Sequence, residues 1–183
     1  MEITSRYSAK RRAALVYALS ASVVPCSNAI ANVTRFPELQ LSLYNLHTTE
    51  SLKTVFWAEG EYNLDALRDL NYLLRDHRTD QVKPIDTRLF SLLYLLNKKI
   101  ENNNSISVIS GYRSPETNRK LAERNPGVAK NSFHIKGQAI DIRIPGKDTT
   151  VLRDIGIKLG VGGVGYYAQS NFTHFDTGPR RNW

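Results

Sequence analysis

Apolar and polar positions alternate in LQLSLYNLHTTE (residues 39–50), with Leu39, Leu41 and Leu43 on one side and Gln40, Ser42 and Tyr44 on the other. Alternation of period two marks a half-buried strand. The segment ends in polar turn residues, and LKTVFWAEGEY (52–62) follows with β-branched and aromatic residues, so the two predict a β-hairpin. The period then changes. In NLDALRDLNYLLRDH (63–77), Leu64, Leu67, Leu70, Leu73 and Leu74 share one face of a helix. IDTRLFSLLYLLNKKI (85–100) predicts a second helix, capped by Asp86 behind Pro84 and closed by lysines that suit the negative end of the helix dipole. SISVISGYRS (105–114) predicts a strand running into a turn. SPETNRKLAER (114–124) predicts a third helix, with Ser114 as N-cap and Pro115 at the first position. QAIDIRI (138–144) reads as a strand, DTTVLRDIGIKLG (148–160) as a helix ended by Gly160, and GVGYYAQ (163–169) and FTHFDTG (172–178) as two closing strands. No regular β–α–β rhythm emerges. The expected class is α+β, a small antiparallel sheet with flanking helices.

Composition changes this picture mainly at the N-terminus. The chain has 183 residues, 41% of them hydrophobic and 23% charged, which suits one soluble globular domain. Of the net charge of +8, Arg6, Lys10, Arg11 and Arg12 against Glu2 place +3 in residues 1–31 and leave +5 on the rest. That basic end precedes the apolar run AALVYALSASVV and an Ala29-x-Ala31 pair, the layout of an export signal. Twelve apolar residues are too few to span a bilayer, which takes roughly 20. Residues 1–31 are therefore expected to be a signal peptide, with 32–183 as the exported, periplasmic domain and no membrane insertion once the leader is removed. Arg11-Arg12 suggests the twin-arginine route, but Ala13 and Ala14 depart from its bulky consensus and Sec export stays open. Pro25 ahead of Cys26 argues against a lipoprotein signal. Cleavage after Ala31 would remove the one cysteine, so no disulfide is expected. No basic run with interleaved aromatics speaks for nucleic acid, and a monomer is expected.

The candidate chemistry lies in SFHIKGQAIDI (132–142). Along the strand, Gln138, Ile140, Ile142 and Ile144 point one way and Ala139, Asp141 and Arg143 the other. The isoleucines belong to the core, so Asp141 faces away from it beside small Ala139. Gly137 lets the backbone bend and bring His134 over the same face. In NFTHFDTG, Phe172, His174 and Asp176 share one face. If the two strands are neighbours, His134, Asp141 and His174 converge. Two neutral imidazoles and a carboxylate are a common catalytic zinc set, with a fourth position for water. Gly160, Gly162 and Gly165 fit G-x-G-x-x-G, but they follow a helix and precede a strand, with too little chain beyond them for a dinucleotide-binding unit. They are expected to make a tight connection, Gly165 letting a backbone pass close by. His77 is expected as a cation at a helix end.

The same residues carry a resemblance. Ser132, His134, Gly137, Ala139 and Asp141 in SFHIKGQAID resemble the S-x-H-x-x-G-x-A-x-D signature of the LAS zinc peptidases, which include D-Ala-D-Ala-peptidase and hedgehog-type domains. SGYRSPETN is similar to the arginine-bearing segment of the D-Ala-D-Ala branch. GGVGYY with THFDTGPRRNW resembles the C-terminal end of the MepK-like (YcbK-like) murein endopeptidases, and the likeness extends over nearly all of the mature chain. The resemblance implies one Zn2+ per chain held by His134, Asp141 and His174. It implies that Arg113 orients substrate and steadies charge on the carbonyl oxygen, with Ser132 at the substrate or bracing its loop. It implies hydrolysis of amide bonds in peptidoglycan cross-links. A D-Ala-D-Ala-type carboxypeptidase or dipeptidase, and a zinc-bearing but non-catalytic wall-binding module, are the alternatives. One departure matters: the His or Glu that many relatives carry two or three residues before the last ligand is here Phe172 or Asn171. Asp176 is then the candidate for activating water, or a carboxylate that holds a histidine.

Overall fold

A computed structural model describes residues 2–4, 37–160 and 162–183. The expected leader falls almost wholly outside these residues, as does its boundary at 31. The strands are β1 (Glu2–Thr4), β2 (Leu39–Asn45), β3 (Ser51–Ala58), β4 (Glu61–Tyr62), β5 (Ile106–Ser110), β6 (Ala139–Arg143), β7 (Gly163–Tyr167), β8 (Phe172–Asp176) and β9 (Arg181–Asn182). The helices are α1 (Leu64–Leu73), α2 (Thr87–Lys99), α3 (Pro115–Arg124) and α4 (Thr149–Leu159). All strands join one sheet in the order β1-β3-β2-β5-β6-β8-β7-β9, with β4 paired to β3. The class is α+β, as expected. The sheet is mixed rather than wholly antiparallel, because β1 and β3, β2 and β5, and β7 and β9 pair in parallel.

One face of the sheet is covered. Helix α1 packs on β3, α2 on β2, and α4 on β7, β8 and α2. Leu41, Leu43, Phe56, Val108, Ile142 and Phe175 meet Leu70, Leu73, Phe90 and Leu93 in this layer, all fully or almost fully buried. Gly156 lets α4 lie directly on β8, since a Cβ there would stand 2.3 Å from the Phe175 ring. The predicted caps are all formed: Asp86 accepts from Arg88 N, Ser114 from Thr117 N, and Gly160 closes α4 in the left-handed region at φ 67.

Two helix-level expectations differ. Leu64, at the first turn of α1, is 73% exposed, so the apolar stripe begins in solvent and enters the core only at Ala66. Helix α1 also ends at Leu73, earlier than the periodicity suggests. The carbonyl of Leu73 accepts from Asn45 Nδ2 at 2.9 Å and that of Leu74 from Tyr112 N at 2.8 Å. Tertiary donors thus take the acceptors that a longer helix would have used. Among the described residues no helix is long and apolar enough to cross a membrane.

Candidate metal centre and its groove

The face of the sheet opposite α1, α2 and α4 carries the candidate chemistry. Strands β6 and β8 are antiparallel neighbours, and their register sets Asp141 directly opposite His174 and Ala139 opposite Asp176. His134 comes from a short 3₁₀ turn, Phe133–Lys136, closed by Gly137 at φ 69. Only glycine serves there: its φ is left-handed, and a Cβ would stand 2.5 Å from the Pro84 carbonyl. Ser132 caps the turn by accepting from His134 N at 3.3 Å, and it also lines the groove above the centre.

Three ligand-type atoms meet. His134 Nε2 lies 3.2 Å from Asp141 Oδ1 and 3.3 Å from His174 Nδ1, and His174 Nδ1 lies 2.8 Å from Asp141 Oδ1. The outer ring atoms decide the protonation. His134 Nδ1 faces the carbonyl of Gly111 at 2.7 Å and so carries the proton; His174 Nε2 faces Asp176 Oδ2 at 3.0 Å and does the same. Both inner nitrogens then present lone pairs, and so does Asp141. Three buried acceptors aimed at one another repel unless a cation stands among them. Without a metal the substitute is a proton on His174. Burial alone would lower its pKa, but hydrogen bonds to Asp141 and Asp176 hold it above the usual imidazole value. His134 is pushed down by burial, with the Arg113 charge adding to it. Burial would raise Asp141, yet the two imidazoles hold its carboxyl far below the ordinary range. The residues fit a borderline-soft divalent ion of the zinc kind. Among the described residues this is the one cluster of His, Cys, Asp and Glu side chains with such convergence.

Outer partners fix each of these side chains. Arg113 Nη2 donates to Asp141 Oδ2 at 2.5 Å and its Nε to Ser110 Oγ at 2.9 Å, so the guanidinium turns Oδ1 toward the imidazoles while lining the groove. The Arg113 loop is anchored by buried Asp76, whose Oδ2 accepts from Ser114 N at 2.8 Å. Asp176 is fully buried and accepts from Gly163 N, Gly178 N, and both terminal nitrogens of Arg181 besides His174. Burial would raise its pKa, but these donors hold it far below the usual carboxylate value. It stands behind His174, on the ring nitrogen away from the cluster. That geometry fits the histidine-holding role.

Sequence reasoning missed three contributors. Gly111 supplies the carbonyl that sets the His134 tautomer, and its lack of a side chain lets it approach Leu74, whose carbonyl would be 2.5 Å from a Cβ. Arg181, in the C-terminal tail, supplies two of the donors that hold Asp176. Trp183 lies over Gly165 with its ring centroid 5.4 Å from that of His174. What passes close to Gly165 is therefore an indole ring, 2.6 Å from where a Cβ would be, and not a backbone. His47 and His77 stack on each other, centroids 3.9 Å apart. His77 is not the expected cation, because burial, with Arg78 and His47 adding to it, lowers its pKa to about 4.

The groove over the centre has a volume of about 600 Å3 and is lined by residues of the 125–133 segment and by Tyr167, Phe172, Arg181 and Trp183. Against this geometry the comparison with known proteins is decisive. A model of the family described as peptidoglycan L,D-endopeptidase MepK matches residues 34–183. The chain belongs to this MepK family. The peptidoglycan L,D-endopeptidase MepK of Escherichia coli (strain K12) is 41% identical over 181 residues, covering 97% of this chain and 99% of that protein. The probable peptidoglycan L,D-endopeptidase MepK of Haemophilus influenzae is 42% identical over 167 residues, 91% of this chain and 89% of the relative. The MepK match begins ahead of β2 and so takes in every side chain of the centre, together with Gly111, Arg181 and Trp183.

Proposed function

We propose that the chain is a zinc-dependent peptidoglycan endopeptidase, exported as a monomer to the wall compartment, that hydrolyses amide bonds in peptide cross-links. The observation that carries this is the convergence of three buried acceptors, His134 Nε2, His174 Nδ1 and Asp141 Oδ1, beneath a groove in a MepK-family chain. One zinc ion per chain, held by those residues, would supply a Lewis acid that polarises a carbonyl and activates water.

The protein's part is positioning and charge. Gly111 and Asp176 keep the inner imidazole nitrogens unprotonated for the ion. Arg113 orients Asp141 and presents its guanidinium at the groove, where an oxyanion forming on the substrate carbonyl meets a fixed cation in a nearly dry site. Ser132 holds the turn that carries His134 and offers its hydroxyl oxygen at the groove wall. The MepK-family match favours cleavage within a cross-link over trimming of a dipeptide end. The test is digestion of cross-linked muropeptides by the purified protein with and without chelator. New amines should appear, vanish with chelator and return with zinc; cleavage by metal-free protein ends this reading.

One observation keeps a second reading alive. Apart from Asp141, no Asp or Glu lines the groove, so no carboxylate base stands beside the centre among the described residues. A non-catalytic module that holds wall peptide would bind muropeptides in a zinc-dependent way and release no amine.

A further inference from the structure

On the face of the sheet opposite α1, α2 and α4, side chains line up in rows that run across the strands. One row is the catalytic one: Ser110 on β5 faces Asp141 on β6, then His174 on β8 and Gly165 on β7. The next row begins with Ser107 opposite Arg143. The β6–β8 register carried one step further sets Arg143 opposite Phe172, which in turn pairs with Tyr167. The Phe172 and Tyr167 rings stack, centroids 4.4 Å apart and 16° from parallel, and both line the groove. Arg143 therefore lies two residues from Asp141 on the same face, about 7 Å along the strand.

Arg143 stands out among the cations. Arg68, Arg75, Arg88, Arg113, Arg153 and Arg181 each make an ion pair. Of the described arginines that make none, Arg143 is the one that is not exposed. It lines a cavity of about 380 Å3, next along the sheet from the groove and lined by different residues, together with buried Ser107 and exposed Lys147 and Asn171. The one acid there, Asp148, has its Oδ1 engaged by Thr150 at the start of α4, at 2.7 and 2.8 Å. A half-buried guanidinium with no internal partner, backed by a lysine, is a site for an anion brought from outside.

We propose that Arg143, with the Phe172–Tyr167 pair beside it, forms a subsite for a carboxylate of the substrate peptide, within two residues of the scissile amide. The spacing follows from the rows, since an extended peptide also advances about 7 Å in two residues. The aromatic pair supports the apolar part of the chain between scissile bond and carboxylate. The inference rests on the endopeptidase reading and adds to it what the enzyme selects.

The test compares a cross-linked peptide with versions amidated at each carboxylate near the cleaved bond. Steady-state kinetics and equilibrium binding of the synthetic hydrolysis products to the zinc-loaded protein are both measured. For one amidated position, wild type should lose about 10- to 100-fold in KM and in product affinity, the worth of a charge-assisted hydrogen bond. Arg143→Ala should show the same loss on the free acid and no further loss on that amide, with kcat nearly unchanged. Arg143→Lys should recover part of the preference. Should the alanine variant misfold by circular dichroism, Arg143→Gln, which keeps length without charge, answers in its place. A variant that retains the carboxylate preference, or loses affinity equally for acid and every amide, overturns the subsite. Failure of wild type to cleave any of the peptides sinks the endopeptidase reading instead, and product binding still decides for or against Arg143.

Discussion

Replacing Asp176 with asparagine separates the two roles that a carboxylate next to the last ligand could play. Asp176 takes donors from Gly163 N at 3.0 Å, Gly178 N at 2.9 Å, Arg181 at 2.6 and 3.1 Å, and His174 Nε2 at 3.0 Å. In Asp176→Asn the oxygen keeps the two backbone donors best, which turns the amide NH2 toward His174 and Arg181 Nη2. Each of those contacts becomes donor against donor. A lost buried hydrogen bond costs about 1–3 kcal/mol, and the Arg181 share is discounted because its side chain is 38% exposed. The metal-free protein should therefore lose about 2 kcal/mol in urea denaturation. His174 escapes the clash by giving up its Nε2 proton and keeping the one on Nδ1, the very atom that faces Asp141. A zinc ion must then displace that proton and restore the clash, so affinity should fall about 10- to 100-fold, as is usual when a partner behind a ligating histidine is removed. Competition against a chromophoric chelator at neutral pH reads this directly. Zinc affinity equal to wild type combined with loss of muropeptide cleavage would refute the reasoning and return Asp176 to the role of base.

Further outcomes follow from other parts of the molecule. Gly111→Ala puts a Cβ 2.5 Å from the Leu74 carbonyl, so it should cost about 1–3 kcal/mol and weaken zinc binding by loosening the His134 acceptor; an unaltered melting temperature and zinc affinity contradict this. For Asp76, burial would raise the pKa, but bonds from Thr117, Ser114 and Arg78 bring it from 3.8 to about 2. Being lowered by folding, it adds about 2 kcal/mol of stability that is complete above its ordinary value and lost as pH falls through about 2. The deficit of Asp76→Asn against wild type should accordingly shrink under acid, and a gap independent of pH speaks against it. His77 is held neutral by burial, so its imidazole signal in an NMR titration should have its midpoint near pH 4. Because the unfolded chain takes up that proton first, this histidine withdraws stability as pH drops from about 6.5 toward 4; a midpoint near 6.5 would contradict its burial.

Much of this architecture was legible because each element's period agreed with its caps. Asp86, Ser114 and Gly160 mark their helix ends in sequence and do so in the fold. Alternation along β6 was enough to put Asp141 on the non-core side, and along β8 it set His174 on one face with Phe172 and Asp176. Their direct opposition needed the β6–β8 register, which no local pattern specifies. The early end of α1 was hidden because Asn45 and Tyr112, distant in sequence, claim its last carbonyls. Likewise, nothing in GPRRNW tells that Arg181 clamps Asp176 or that Trp183 needs Gly165 bare, since both depend on β9 joining β7 in parallel. The role of Asp176 was open for the same reason: residue type allows base or brace, and the donors that favour the brace come from Gly163, Gly178 and Arg181, which no local pattern ties to it.

The claim underlying all of this is that His134, Asp141 and His174 enclose one metal ion. Zinc K-edge absorption on the purified protein addresses it most directly. The account predicts one zinc per chain with two imidazole nitrogens and a carboxylate oxygen in its inner shell at roughly 2.0–2.2 Å, and loss of that signature in His174→Ala. A protein that retains no stoichiometric metal, or an inner shell without two imidazoles, would contradict it.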